Sequence, residues 1–216
     1  MPLHRYTHAV LCRIPNSIQT KGEVLLDDAR DQHAALAQLL RDFDIDFVEM
    51  PADEESPYCA FVEDIAVVCN GVALVARPTE SSRIKEVFTI CHYYLFSLCK
   101  VAETKRLKGL VTMAGPDVIC VGAGKDCQEA LKRIEREATY TYQTLTVPED
   151  AAANVIYLNG TLIHRHEEEI PSSSKVFDDK VEFPTKALRM SELAKLSLGL
   201  SSCCLLVRKP KHIRSL

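Results

Sequence analysis

The sequence lacks several features that would assign it to a large class of proteins. It has no Cys-x-x-Cys pair among nine cysteines, no secretion signal at its start and no unbroken apolar run of membrane-spanning length. Its formal charge of -4 comes from 30 acidic and 26 basic residues spread along the chain, which leaves no basic patch for nucleic acid or lipid. We therefore expect a cytoplasmic protein with reduced thiols that acts on a small molecule.

The composition is typical of one soluble globular domain over residues 1–216. The chain is 47% apolar and 26% charged, which is sufficient for one sizeable core. Asn-Gly pairs at 70–71 and 159–160 each lie between aliphatic runs, a pattern that predicts two tight β-hairpins. A Pro-Asp pair at 116–117 predicts the turn of a third hairpin.

These hairpins recur at a regular interval. The turns are 46 and 43 residues apart. Apolar residues at helical spacing lie at 26–43, before the first turn, and at 127–134, between the second and the third. The second of these helices is preceded by an approximate capping box of Asp126 and Glu129. A repeated unit of hairpin, helix and returning strand cannot bury its faces alone. The pattern therefore predicts an α/β ring of blades in which the starts of the hairpins converge on one axis.

Two adjacent carboxylates interrupt the first apolar hairpin. Glu63 and Asp64 lie in a stretch that reads as a buried strand, where uncompensated charge is costly, so a cation or strong donors should meet them. On a strand the two side chains would point to opposite faces, and one of them would face a ligand. The alternative is a pair of structural salt bridges.

Cysteines stand side by side at the head of the last apolar run. On a strand Cys203 and Cys204 would also alternate, with Cys203 at the polar end and Cys204 in the core. Cys203 is therefore the candidate nucleophile. A free cysteine is otherwise a small buried hydrophobe, which is the commoner role.

Two further groups are candidates for binding. Arg83 opens a predicted helix and has the geometry to hold a carboxylate, or else faces solvent as an ordinary surface arginine. His164 and His166 share one face of a predicted strand at a metal-compatible spacing, but no third ligand is in register, which favours a polar strand end. We expect no metal and no cofactor.

Several motifs in order resemble dimethylarginine dimethylaminohydrolase, over about 1–86 and 107–210. They are Thr7-His8-Ala9-Val10, Lys21-Gly22-Glu23, Met50-Pro51-Ala52-Asp53-Glu54, Phe61-Val62-Glu63-Asp64-Ile65, Ala76-Arg77-Pro78, Met113-Ala114-Gly115-Pro116, Thr146 to Asn154, Met190-Ser191-Glu192-Leu193 and Cys203-Cys204.

The resemblance implies a fold, a reaction and a set of roles. The fold is a five-bladed α/β propeller of pentein-type ββαβ repeats. The reaction is hydrolysis of asymmetric dimethylarginine or monomethylarginine to citrulline through a covalent cysteine intermediate, which regulates nitric oxide synthesis. Cys203 would be the nucleophile, and the substrate would be bound by Glu63, Asp64, Arg83 and Ser197.

The sequence also departs from the family pattern. A blade with a Gly-Gly-Asp hairpin is missing after Arg83, together with a second substrate-binding arginine, and an atypical apolar segment at 87–107 occupies that site. The general acid/base histidine is replaced by Arg106, which cannot release a proton near neutral pH. Tyr58 stands where the family has an acid. We expect either an active hydrolase of methylated arginines or a truncated, catalytically impaired isoform that acts as a binding module. The sequence does not indicate the oligomeric state.

Overall fold

The structure is a computed structural model that describes residues 5–69, 72–76, 96–99, 107–138, 141–196 and 199–208. Its strands, in chain order, are β1 His8–Cys12, β2 Asp46–Met50, β3 Ala66–Cys69, β4 Val72–Ala76, β5 Phe96–Cys99, β6 Val111–Gly115, β7 Val118–Gly122, β8 Gln143–Val147, β9 Ile156–Leu158, β10 Thr161–Arg165, β11 Thr185–Leu188 and β12 Leu205–Val207. The α-helices are α1 Leu26–Asp42, α2 Lys125–Glu137, α3 Pro171–Lys180 and α4 Ser191–Ala194, and 3-10 helices cover Asn16–Lys21, Val62–Ile65, Leu107–Gly109, Asp150–Ala153 and Leu200–Cys203.

The chain divides into two compact units. The first comprises 1–21, 33–103 and 202–216, and the second comprises 22–32 and 104–201. The first unit contains the sheets β12-β1-β2 and β3-β4-β5, and the second contains β6-β7-β8 and β9-β10-β11. The single domain expected from the sequence stays a prediction.

All four sheets of the described residues follow one pattern, which we call the sheet module. In each module the middle strand pairs antiparallel with one neighbour and parallel with the other. A parallel partner requires a crossover, and helices α1, α2 and α3 provide it after β1, β7 and β10. The fourth crossover, between β4 and β5, lies outside the described residues. The predicted ββαβ repeat is therefore confirmed, with four modules in the described part of the chain.

The predicted hairpins are present. β9 and β10 join through Asn159 and Gly160, whose φ angles of 49° and 98° are the left-handed values that this pair adopts at low cost. β6 and β7 join at Pro116 and Asp117 as expected. β3 and β4 also pair antiparallel, although the Asn70-Gly71 turn itself lies outside the described residues.

Both helices predicted from periodicity are confirmed, but the capping box before α2 is wrong. The residue that caps this helix is Gly124, which has no side chain to contribute. Its backbone N–H instead donates to Asp150 Oδ1 at 2.8 Å. The start of α2 is thus fixed by a carboxylate distant in sequence, which a local motif cannot reveal.

The core of the second unit is built around two side chains that are fully buried. Phe177 on α3 and Leu162 on β10 belong to a cluster with Leu145 and Val147 on β8. Burial of each large side chain of this kind contributes about 1.5–3 kcal/mol to the free energy of folding. In the first unit one face of α1 is buried through Leu36 and Leu40.

The atypical segment predicted at 87–107 falls mostly outside the described residues. Only β5, which pairs parallel with β4, and Leu107 are described within it. In the described part of the chain, no helix has both the length and the apolar character that a membrane crossing requires.

A buried histidine on α1 makes a stability prediction possible. Burial lowers the pKa of His33 from 6.5, although the charge of Glu49 acts to raise it, and its Nε2 has no hydrogen-bond partner in the described residues. The unfolded chain therefore takes up the proton first as pH falls below about 6.5. The free energy of unfolding should decrease from there until the folded imidazole is also protonated. His33→Leu should make this decrease smaller in urea titrations at a series of pH values.

The matched control for this prediction is His166→Gln, since His166 is only half-buried. It should leave the acid-dependent loss of stability unchanged. An equal loss in wild type and His33→Leu would show that His33 does not carry the effect.

Candidate functional site

The candidate nucleophile lies in a 3-10 turn and not on a strand. Cys203 is the last residue of the turn Leu200–Cys203, and β12 begins only at Leu205. Both Cys203 and Cys204 are buried, with exposed fractions of 0% and 1%. Cys204 lies in the core as expected, but the expected alternation that puts Cys203 at a polar end is wrong, because alternation requires an extended backbone.

The strand that follows the cysteines is held by the start of the chain. β12 pairs antiparallel with β1, with Val10 opposite Leu205 and His8 opposite Val207. The backbone N–H of Thr7 extends the ladder by donating to the Val207 carbonyl at 3.2 Å. The position of the Cys203 turn is thereby tied to the middle strand of its sheet module.

The two candidate carboxylates also lie in a 3-10 turn. Glu63 and Asp64 occupy the turn Val62–Ile65, immediately before β3, so the opposite-face argument made for a strand is wrong for them as well. Glu63 is half-buried. This turn contacts β1, and β12 contacts β3. The segments that carry the carboxylates and the cysteine therefore share β1 as a neighbour within the first compact unit.

The segment before the carboxylates is firmly packed. Phe61 and Val62 have exposed fractions of 0% and 1%, and the Phe61 N–H donates to the Tyr58 carbonyl at 3.0 Å. The Tyr58 ring lies 6.1 Å from that of Phe61, and the Lys21 ammonium group lies 5.4 Å from the centre of the Tyr58 ring. Tyr58 thus presents an aromatic face to a cation from the same chain.

Three of the predicted site residues cannot be located. Arg83, Arg106 and Ser197 lie outside the described residues. Their roles stay predictions from the resemblance.

His164 and Arg165 are polar residues that end β10 and are buried there, whereas His166 follows the strand and is half-buried. His164 Nδ1 donates to the Arg165 carbonyl at 2.8 Å, and its ring lies 4.9 Å from the ring of Phe177. Burial lowers the pKa of His164, so the neutral imidazole is favoured. Within the described ranges no three His, Cys, Asp or Glu side chains come together as a metal site.

Sequence reasoning missed the role of Asn154, a buried polar side chain that is hydrogen-bonded to Ser201, two residues before Cys203 in sequence. Asn154 has an exposed fraction of 3%, and its Nδ2 donates to the Lys108 carbonyl at 2.7 Å and to Ser201 Oγ at 2.9 Å. Its Oδ1 accepts from the Ser201 backbone N–H at 2.8 Å. A β-carbon at Gly199 would overlap this amide. A polar residue at the head of an apolar strand was the available signal, but its partners are distant in sequence.

The chain is similar in fold to structures of guanidine-modifying enzymes. A dimethylarginine dimethylaminohydrolase from Pseudomonas aeruginosa, a mutant complexed with citrulline, matches with a TM-score of 0.72 at 17% identity over 94% of this chain and all of that one. The N-terminal domain of a cyanobacterial arginine dihydrolase bound to product matches with a TM-score of 0.69 at 10% identity, over 92% of this chain and 96% of that domain. The fold is therefore of the α/β propeller class predicted from the repeats, and the four sheet modules of the described residues are compatible with an incomplete propeller.

The sequence comparison agrees with the fold. The bovine and human proteins described as putative hydrolase DDAH2 are 25% and 24% identical to this chain, and each alignment covers 97% of both sequences. No family model matches the chain. The predicted resemblance to the dimethylarginine dimethylaminohydrolase family is confirmed. Each alignment runs over 277 positions against the 216 residues of this chain, so these relatives contain segments that it lacks.

The contact between Gly199 and Asn154 predicts a position-specific loss of stability. Gly199→Ala should lower the free energy of unfolding by about 1–3 kcal/mol, because the added methyl group must displace the buried amide. Gly109→Ala is the matched control, since a β-carbon at Gly109 meets no atom within 4 Å. Thermal unfolding measures both variants. An equal melting temperature for the two would contradict the close packing at Gly199.

Proposed function

We propose that this chain is a cysteine hydrolase that converts asymmetric dimethylarginine or monomethylarginine to citrulline and the free methylated amine. The observation that carries the proposal is that two segments share β1 as a neighbour. The Glu63 turn contacts β1, and β12, the strand after Cys203, pairs with β1. Citrulline and S-methyl-L-thiocitrulline in the similar structures support an arginine derivative as the ligand.

In the proposed reaction the charges of the substrate decide which residues bind it. The carboxylates of Glu63 and Asp64 would accept charge-assisted hydrogen bonds from the guanidinium group. Arg83 would hold the substrate carboxylate, and Ser197 would contribute a further contact. The activity would operate in the cytoplasm and regulate nitric oxide synthesis by removing methylated arginines.

The chemistry proceeds in two steps. The Cys203 thiolate adds to the guanidinium carbon, and the carbon–nitrogen bond to dimethylamine breaks as that nitrogen takes up a proton. Water then adds to the same carbon of the S-linked intermediate and loses protons. The carbon–sulfur bond breaks, which releases citrulline and returns the thiolate. Substrate and water are thus converted to citrulline and dimethylamine without an oxidant or cofactor.

Both steps need a group that gives up and takes back a proton. Arg106 stands in sequence where the family has its histidine, and a guanidinium group cannot perform this exchange. This favours a second candidate function, in which the chain is a catalytically impaired isoform that binds the ligand. A skipped exon would account both for this replacement and for the segments that the longer relatives contain.

The assignment of the nucleophile and the binding carboxylate predicts two separable effects. Cys203→Ser should abolish citrulline formation from asymmetric dimethylarginine. Glu63→Gln should raise KM by about tenfold or more, because it removes the charge that faces the guanidinium group. Glu135→Gln, at an exposed position on α2, should leave both kcat and KM unchanged. Chromatographic detection of citrulline measures all three variants.

Equal and negligible rates for wild type and Cys203→Ser would sink the enzyme assignment for this chain. Binding of dimethylarginine by calorimetry, weakened by Glu63→Gln, would then support the binding module.

The missing proton shuttle predicts a gain of function. Arg106→His should raise the rate of citrulline formation by about 10²–10⁴, the usual contribution of a positioned acid/base. Arg106→Gln removes the same positive charge without supplying an acid/base and is the matched control. If both variants raise the rate equally, the defect lies in the charge of Arg106 and the proton-shuttle argument is wrong.

A further inference from the structure

Asn154 is connected to two segments that are distant in sequence. Its Nδ2 donates to the carbonyl of Lys108, in the turn Leu107–Gly109, and to Ser201 Oγ, in the turn Leu200–Cys203. The Ser201 N–H donates back to Oδ1. The orientation of the amide is determined by these partners, since a backbone carbonyl only accepts and a backbone N–H only donates.

The backbone on both sides of Asn154 is itself fixed. Thr112 Oγ1 donates to the Ala153 carbonyl at 2.6 Å, and the Val155 N–H donates to the same hydroxyl at 3.1 Å. One β6 side chain thus binds the residues before and after Asn154. The backbone that carries the amide is therefore fixed, so the hydrogen bonds of the amide can determine where Lys108 and Ser201 lie.

The two segments that meet on Asn154 flank the residues of the proposed chemistry. Lys108 comes two residues after Arg106, the position of the family histidine, and Ser201 comes two residues before Cys203. Gly199 allows this approach, because any side chain there would overlap the amide. The close approach of Gly199 and the two hydrogen bonds to Ser201 hold the beginning of the Leu200–Cys203 turn against the Asn154 side chain.

We propose that Asn154 is a positioning residue that sets the conformation of the Leu200–Cys203 turn, and hence the presentation of the Cys203 sulfur. This inference rests on the proposed function for its catalytic meaning, but the geometry that it describes can be tested without turnover. Asn154 acts through Ser201 and Lys108 and has no assigned contact with substrate.

The test measures alkylation of Cys203 by iodoacetamide in the folded protein over a range of pH. Mass spectrometry with fragment ions that separate Cys203 from Cys204 gives the rate constant. Asn154→Leu, which is close in volume but has no donor or acceptor, should change this rate by about tenfold and shift the midpoint of its pH profile, since it removes all three hydrogen bonds of the amide.

The control is Ser173→Ala, which lowers stability elsewhere in the second unit. Ser173 lies in the first turn of α3, where the Glu149 carboxylate accepts from the Ser172 and Ser173 backbone N–H groups at 3.0 and 2.7 Å. This variant should lower the melting temperature and leave the Cys203 pH profile unchanged. Equal profiles for Asn154→Leu and Ser173→Ala would overturn the proposal, because the effect would then follow stability alone.

Ser201→Ala provides a milder variant if Asn154→Leu does not fold. It removes one hydrogen bond of the three and keeps the Ser201 N–H bond to Oδ1, so a smaller shift in the same direction is expected. An unchanged profile in Ser201→Ala would overturn the proposal in that case.

Turnover separates this inference from the proposed function. If wild type forms citrulline, Asn154→Leu should lower kcat with little change in KM. If wild type forms none, the proposed function fails, while an altered Cys203 profile still supports the positioning role.

Discussion

The antiparallel pairing of β1 with β12 is the interaction on which the proposed site depends. It joins residues from opposite ends of the chain into one sheet module, and the nucleophile candidate immediately precedes the joined strand. Closing so long a loop costs conformational entropy, although the cost grows only slowly with loop length. The buried residues of the two strands, among them Val10 and Leu205, offset that cost. A protein that did not form this pairing would lack both the module and a fixed place for Cys203.

The fold was accessible from the sequence because its strongest signals are local. An Asn-Gly pair accepts positive φ at little cost, which is what the turn at Asn159 and Gly160 requires, and the periodicity of α1 and α2 needs only neighbours along the chain. The start of α2 was not accessible, since its anchor is Asp150, which follows the helix by more than ten residues. The number of sheet modules was indicated by the absence of the family's Gly-Gly-Asp blade after Arg83.

The candidate site was less accessible for a related reason. The chemical nature of Glu63 and Cys203 singled out two segments as candidates, but both segments were taken as strands. A single 3-10 turn has no periodicity that a sequence could show, and the apolar strand after each turn concealed where the extended backbone begins. Asn154 shows the same limit more clearly, because its three partners come from positions 108 and 201. Its importance exists only in the folded chain.

The placement of Cys203 also bears on how this protein is made. A ribosome synthesises β1 before β12, with all the other strands between them, so β1 must wait for its antiparallel partner while those strands are translated. β1 has β2 as a parallel partner during this time, which covers one of its edges. The other edge stays open to other strands. In a nascent chain this edge of β1 would therefore be open to pairing with strands of other chains.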